Sequence, residues 1–127
     1  MLTFDTMPLD KEIGRRELLL DGALVARWRE LFPDDDTGAL MPPGMIAVVT
    51  IKAYSDILTP RPPGNVHGAQ HFEMIRLPRV GERLLTRLRC VAKERKGERR
   101  WISFLTETTD ATGDACFRGR MTVLWAA

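Results

Sequence analysis

Apolar and polar positions follow two different periods along this chain. Leu24, Val25, Trp28, Leu31 and Phe32 recur at three- and four-residue spacing, with Arg27, Arg29 and Glu30 outside that stripe. This is one apolar face of a helix. Asp21 just before it is a short acceptor for the free amides of a first turn, so it reads as the N-cap. Pro33 and the run Asp34-Asp35-Asp36 end the helix, because three carboxylates at a helix C-terminus oppose its dipole. Glu12 to Leu20, upstream, is a short extended candidate. Pro42-Pro43-Gly44 opens a second helix, since a proline in the first turn forgoes an amide that had no partner. Met45 to Leu58 follows, apolar almost all round in its first two turns, which predicts a buried helix. Val48, Val49, Thr50 and Ile51 are β-branched and compete for a strand. The length of the run up to Pro60 favours the helix.

Beyond the proline-rich loop Thr59 to Asn65 the period becomes two. In Val66 to Arg76 strict alternation puts Val66, Gly68, Gln70, Phe72 and Met74 on one face. It puts His67, Ala69, His71, Glu73 and Ile75 on the other. Leu77 to Gly81 is a turn. In Glu82 to Val91, Leu84, Thr86, Leu88 and Cys90 oppose Arg87 and Arg89. Lys93 to Arg100 reads as a charged hairpin tip turning at Gly97. Trp101 to Thr108 is β-branched and aromatic, and Asp110 to Asp114 is a second hairpin turn. Ala115 to Trp125 alternates most cleanly, with Phe117, Met121, Val123 and Trp125 against Arg118, Arg120 and Thr122. Helices first and hairpins after define an α+β fold: an antiparallel sheet of about five strands whose apolar face the Met45–Leu58 helix covers.

A length of 127 residues makes one domain, 1–127, large enough to bury about two-thirds of its surface without staples. The longest apolar stretch, Gly44 to Ile51, is far short of a membrane span, and the first ten residues have no signal-peptide character. A cytoplasmic location is expected. Cys90 and Cys116 stand in strand-like segments with no ligand pattern, so they read as small buried hydrophobes. The net charge of +2 hides an asymmetry: residues 1–60 carry 6 basic and 10 acidic side chains, residues 61–127 carry 13 and 7. A solvated sheet surface is the ordinary reading, and an anionic partner the functional one. The basic residues are not interleaved with aromatics, which argues against nucleic acid.

Several stretches carry a resemblance. Val66-His67-Gly68-Ala69-Gln70-His71-Phe72-Glu73, followed by Leu77-Pro78-Arg79-Val80-Gly81-Glu82, resembles the segment HG-x-Q-x-F-E … RP-L-R-x-GD of MaoC-like dehydratases. Met41-Pro42-Pro43-Gly44-Met45 resembles the A-P-P entry to that family's central helix, and Trp28 to Asp36 its stretch F-A-x-x-x-G-D-D. The match is to the amino-terminal half-domain type and spans roughly residues 12 to 125. It implies a hotdog fold and an acyl-thioester substrate, carried on coenzyme A or acyl carrier protein. The implied reaction is hydration or dehydration between C2 and C3, with no cofactor. In that family an Asp and a His about five residues apart, in a pattern like D-x-N-P-x-H, do general acid–base work. Here Ala39, Leu40 and Met41 stand five residues after Asp34, Asp35 and Asp36, and no histidine precedes His67. The dyad does not carry over. The family's active unit holds two hotdog modules, often with the dyad on one, and this chain looks like the other.

The candidate residues follow from both lines. Asp36 and His67 are the candidate acid–base pair of a rearranged site, with Asp34 and Asp35 as alternatives to Asp36. Their ordinary reading is a solvated loop and a strand-end packing residue. Pro43 and Gly44 would present helix-start amides to a thioester carbonyl. Gly68 and Gln70 are substrate-binding candidates, and Gln70 on an apolar face needs a backbone or ligand partner. His67 and His71 are expected on one face about 13 Å apart, too far to share a metal ion. Arg87, Arg89, Arg118 and Arg120 lie on polar faces, where arginine's planar fork suits phosphate. The reading is a hydratase/dehydratase-type protein lacking its dyad and acting as a substrate-binding partner module, or else a divergent enzyme. The alternatives are a hotdog thioesterase, with Asp56 or Glu30 as its helical acid, or a non-enzymatic acyl-thioester-binding subunit. Each predicts a homodimer or a heterodimer with another hotdog subunit.

Overall fold

The computed structural model describes residues 1–127. The elements run β1 (Glu12–Leu19), α1 (Gly22–Leu31), α2 (Met45–Ile57), β2 (Val66–Met74), β3 (Arg83–Lys96), β4 (Arg99–Thr109) and β5 (Ala115–Leu124). The five strands form one antiparallel sheet in the order β1-β3-β4-β5-β2. β1 and β2 are therefore its edges, and α2 crosses the inner face. Asp21 caps α1 as expected, accepting from the Leu24 amide at 2.7 Å. No helix is long and apolar enough to cross a membrane.

The interior has two apolar clusters. One gathers Leu88, Ile102, Phe104, Met121, Val123 and Trp125 beneath Tyr54 and Leu58. The N-terminal segment closes this end: Phe4 and Met7 are buried, and Lys93 Nζ donates to the carbonyls of Phe4 and Met7 at 2.9 and 3.0 Å. The other cluster gathers Leu84, Cys116 and Phe117 with Leu20, Val25, Met41, Met45, Ile46 and Val49. Between them lies a layer of polar or small residues, one or two from each of β3, β4, β5 and α2. β3 passes from Leu84 to Leu88 through Thr86, and β5 from Phe117 to Met121 through Gly119. β4 supplies Thr106 and Thr108, and α2 supplies Thr50. Thr86 and Thr108 share a hydroxyl hydrogen bond of 2.7 Å, and Thr106 Oγ1 donates to the Gly119 carbonyl at 3.2 Å. These bonds satisfy groups whose burial would otherwise be costly.

Three expectations change. The charged hairpin tip at 93–100 is narrower than its composition suggests. β3 and β4 stay paired out to Lys96 and Arg99, and only Gly97 and Glu98 turn. The α1 stripe is covered only in part: Val25 is buried, but Leu31 is 74% exposed and Phe32 50%. Finally, β2 does not alternate strictly. His67 pairs with Val123 and Ala69 with Thr122, so Gly68 is an extra residue in a bulge. A bulge reverses the faces on its two sides. Gln70 and Phe72, opposite Met121 and Gly119, face inward, whereas Val66, opposite Leu124, faces outward. His67 and His71 thus stand on opposite faces, because His71 pairs with Arg120 on the outside.

Arg76 ties the β2–β3 connection to the β4–β5 turn, reaching Glu82 at 3.1 Å and also Asp110. Asp110 Oδ1 accepts from the Thr112 hydroxyl and amide and from the Asp114 amide. The Thr112 hydroxyl first, and then the Arg76 guanidinium, hold the Asp110 carboxyl well below the usual carboxylate range. Arg76 likewise lowers Glu82. Both carboxyls are depressed in the folded chain, so their stabilisation is complete above the unfolded carboxylate range near pH 4 and is lost as pH falls below it. Urea midpoints should therefore fall on acidification from pH 5 to pH 2.5, and Asp110→Asn should flatten that decline. An unchanged slope in the variant would remove Asp110 from the acid response.

Candidate functional site

The loop between the two helices brings the acids to the start of α2. Asp35, not Asp36, is the one built into the structure. Its Oδ2 accepts from Trp28 Nε1 at 2.8 Å and from the Gly44 amide at 3.0 Å. One carboxylate thus ties α1 to the N-terminus of α2, where negative charge is favoured. The join is tight: a Cβ on Gly44 would meet the Trp28 ring at 2.6 Å. Asp36 turns outward, 3.4 Å from Arg29 Nε, and accepts from the Gly38 amide at 2.9 Å. Asp34 and Pro43 are exposed.

The helix-start amides are occupied. Gly44 donates to Asp35, while Met45, Ile46 and Ala47 donate to the carbonyls of Pro42, Pro43 and Gly44. The expectation of free amides at Pro43-Gly44 therefore does not hold in this chain. His67 is exposed at the start of β2, its Nε2 3.1 Å from the Ala69 carbonyl. No hydrogen bond or ion pair joins it to Asp34, Asp35 or Asp36. Among the helical acids, Asp56 is exposed and paired with Lys52 at 3.0 Å, and Glu30 is exposed.

Gln70 lies on the inner face of β2, beside Gly119 of β5. Its Nε2 donates to the Arg120 carbonyl at 3.2 Å, and its Oε1 is buried without a partner. Thr50 on α2 is fully buried, and its hydroxyl also lacks a partner. Both flank Gly119: a side chain there would begin 3.0 Å from Thr50 Cγ2 and 3.4 Å from Gln70 Nε2. Orphaned buried oxygens are uncommon and mark places where a water or ligand atom completes the bonding. The sequence singled out Gln70 but not Thr50, which looked like one more β-branched residue of an apolar helix. Gly68 lies away from this cluster, at the bulge, against the Trp101 ring.

A five-stranded antiparallel sheet in this order, with a buried helix across its inner face, is the hotdog fold, as the sequence resemblance implied. No family model matches the sequence, and no curated protein matches it. Solved structures do. The MaoC-like dehydratase of Rhodospirillum rubrum superposes with a TM-score of 0.82 at 12% identity, covering 100% of this chain and 99% of that one. The C-terminally truncated HadBC complex, a 3R-hydroxyacyl-ACP dehydratase of Mycobacterium tuberculosis, gives 0.70 at 10% identity, covering 86% and 90%. A thioesterase of Thermus thermophilus, complexed with coenzyme A and zinc, gives 0.69 at 13%, covering 94% and 83%. At these identities the likeness is one of fold, shared by dehydratases and thioesterases alike.

Proposed function

We propose that residues 1–127 form a single hotdog domain that binds an acyl thioester, of coenzyme A or acyl carrier protein, as the partner module of a hydratase/dehydratase-type dimer. The observation that carries this reading is the use made of the acids before α2. Asp35 is committed to Trp28 and Gly44, Asp36 is ion-paired with Arg29, and the nearest histidine in sequence, His67, bonds the Ala69 carbonyl of its own strand β2. General acid–base catalysis needs its proton-transfer group within hydrogen-bond reach of the substrate and in communication with its partner. No acid and histidine of this chain are so joined. The β2 edge supports the dimer: nine residues with one side unpaired, and Val66 and Met74 exposed at its ends. Such an edge is a template for another strand. HadBC, a complex of this fold, supports pairing with another hotdog subunit, and a homodimer is the alternative. A cytoplasmic location fits such a substrate.

The purified chain should bind butyryl-CoA saturably yet not hydrate crotonyl-CoA, followed by loss of enoyl absorbance. Turnover lowered by Asp36→Asn or His67→Ala would overturn the partner-module reading and install a rearranged enzyme. Thiol release from butyryl-CoA, lost in Asp56→Asn, would instead establish the thioesterase. Absence of binding would overturn the acyl-thioester reading itself.

A further inference from the structure

The outer face of the sheet is the side away from α2. Strand pairing arranges its side chains in rows. One row runs Arg87, Glu107, Arg118 and Glu73 across β3, β4, β5 and β2. It is internally neutralised: Arg118 lies 3.5 Å from Glu73 and 3.9 Å from Glu107. Arg87 reaches Glu12 at 3.1 Å, and Arg89, in the next row, reaches Glu107 at 3.5 Å. Arg120 shares that next row with Leu105 and His71, is exposed, and has no carboxylate within 4 Å. The three other arginines named here all have one.

Beyond Arg120 the surface sinks into a groove of about 340 Å³. Its floor is Ala69, Thr122, Ser103 and Ala92, with Arg120 at one side and Trp101 at the other. Trp101 is half-buried, and the bulge holds it in place. Gly68 passes beneath its ring so closely that a Cβ would sit 2.8 Å from it. Glu94 and Lys96 also line the groove near Trp101, 3.8 Å apart, so they offset one another and leave Arg120 as the net charge.

We propose that this groove is a binding site for a nucleoside monophosphate, with the base stacked on Trp101 and the phosphate held by Arg120. The volume falls at the lower end of the range for small-molecule sites, about 300–1,000 Å³. An indole face takes any planar base, and a guanidinium fork pairs bidentately with phosphate. Spacing selects this class over a simple aryl anion. Trp101 and Leu105, the β4 partner of Arg120, are four residues apart, about 13 Å along a strand. Both side chains line the one groove, a span suited to a base, sugar and phosphate. A ring with its carboxylate attached directly is too short to touch both. The site lies on the opposite side of the sheet from Thr50 and Gln70, so it does not depend on the acyl-thioester reading.

Calorimetric titration of AMP into the intact chain, followed in parallel by tryptophan fluorescence, tests the proposal. One saturable site per chain with quenching is expected. Arg120→Gln should weaken binding at least ten-fold, and Trp101→Leu by a similar factor, with both keeping the parent melting temperature within a few degrees. Adenosine and benzoate should each bind at least ten-fold more weakly than AMP, and Asp36→Asn should bind AMP like the parent. Absence of saturable binding overturns the proposal. So does an affinity unchanged by Arg120→Gln, or benzoate binding as tightly as AMP.

Discussion

Phe104→Ala should cost about 3–5 kcal/mol of folding stability, the usual range for truncating a large aromatic in a packed core. Phe104 is fully buried at the centre of β4. Its ring meets Tyr54 of α2 edge-on at 5.4 Å and Trp125 at 5.7 Å, so it joins helix, sheet and C-terminus. Trp125 Nε1 in turn donates to the Leu2 carbonyl at 3.1 Å, passing the connection to the N-terminal segment. A domain of this size has only about 5–15 kcal/mol in hand, so the variant should melt more than ten degrees below the parent. Phe104→Leu, which keeps most of the volume, should lose well under half as much. Urea denaturation of the three proteins measures both. A loss below 1 kcal/mol in Phe104→Ala would contradict the place given to this ring.

Gly119→Val should destabilise the chain by about 1–3 kcal/mol for a different reason, overpacking. The new side chain would begin 2.7 Å from Thr106 Oγ1 and 3.0 Å from Thr50 Cγ2. Both neighbours are buried, so α2 must lift from β5 or the strands must part. The clash with Thr106 can be relieved separately. Thr106→Ala should recover part of the loss when combined with Gly119→Ala, giving a coupling energy of at least about 0.5 kcal/mol in a double-mutant cycle. Strict additivity would mean the two side chains are not in contact.

How much of this was legible beforehand depended on the range of the signal. Asp21 announced α1 because a cap acts within three residues. β5 announced itself because one face alternates with the other without interruption. The central helix was legible from Pro42 to Pro60 despite its β-branched residues, because burial on the sheet outweighs propensity. The bulge at Gly68 was not legible. An inserted residue leaves no trace in a period-two pattern, and only pairing with Val123 and Thr122 reveals it, so the faces of His67 and Val66 came out reversed. Asp34, Asp35 and Asp36 are chemically alike, and nothing local ranks them. Trp28, seven residues earlier, makes the choice by offering an indole N–H to Asp35. The helix-start amides of Pro43-Gly44 looked free because a sequence does not show the carboxylate that comes back to claim one. Thr50 was hidden by its type, since only its lack of a bonding partner distinguishes it from a packing residue.

The polar layer that parts the two apolar clusters also bears on how such a protein can change over generations. Substitutions add when the residues share no neighbour, and they constrain each other when they touch. Leu84, Met45 and Phe117 belong to one cluster and Phe104, Trp125 and Met121 to the other, with threonines and one glycine standing between. Variation in either compartment is therefore judged on its own merits. One compartment can drift toward a new shape while the other keeps the sheet and its terminal segments together.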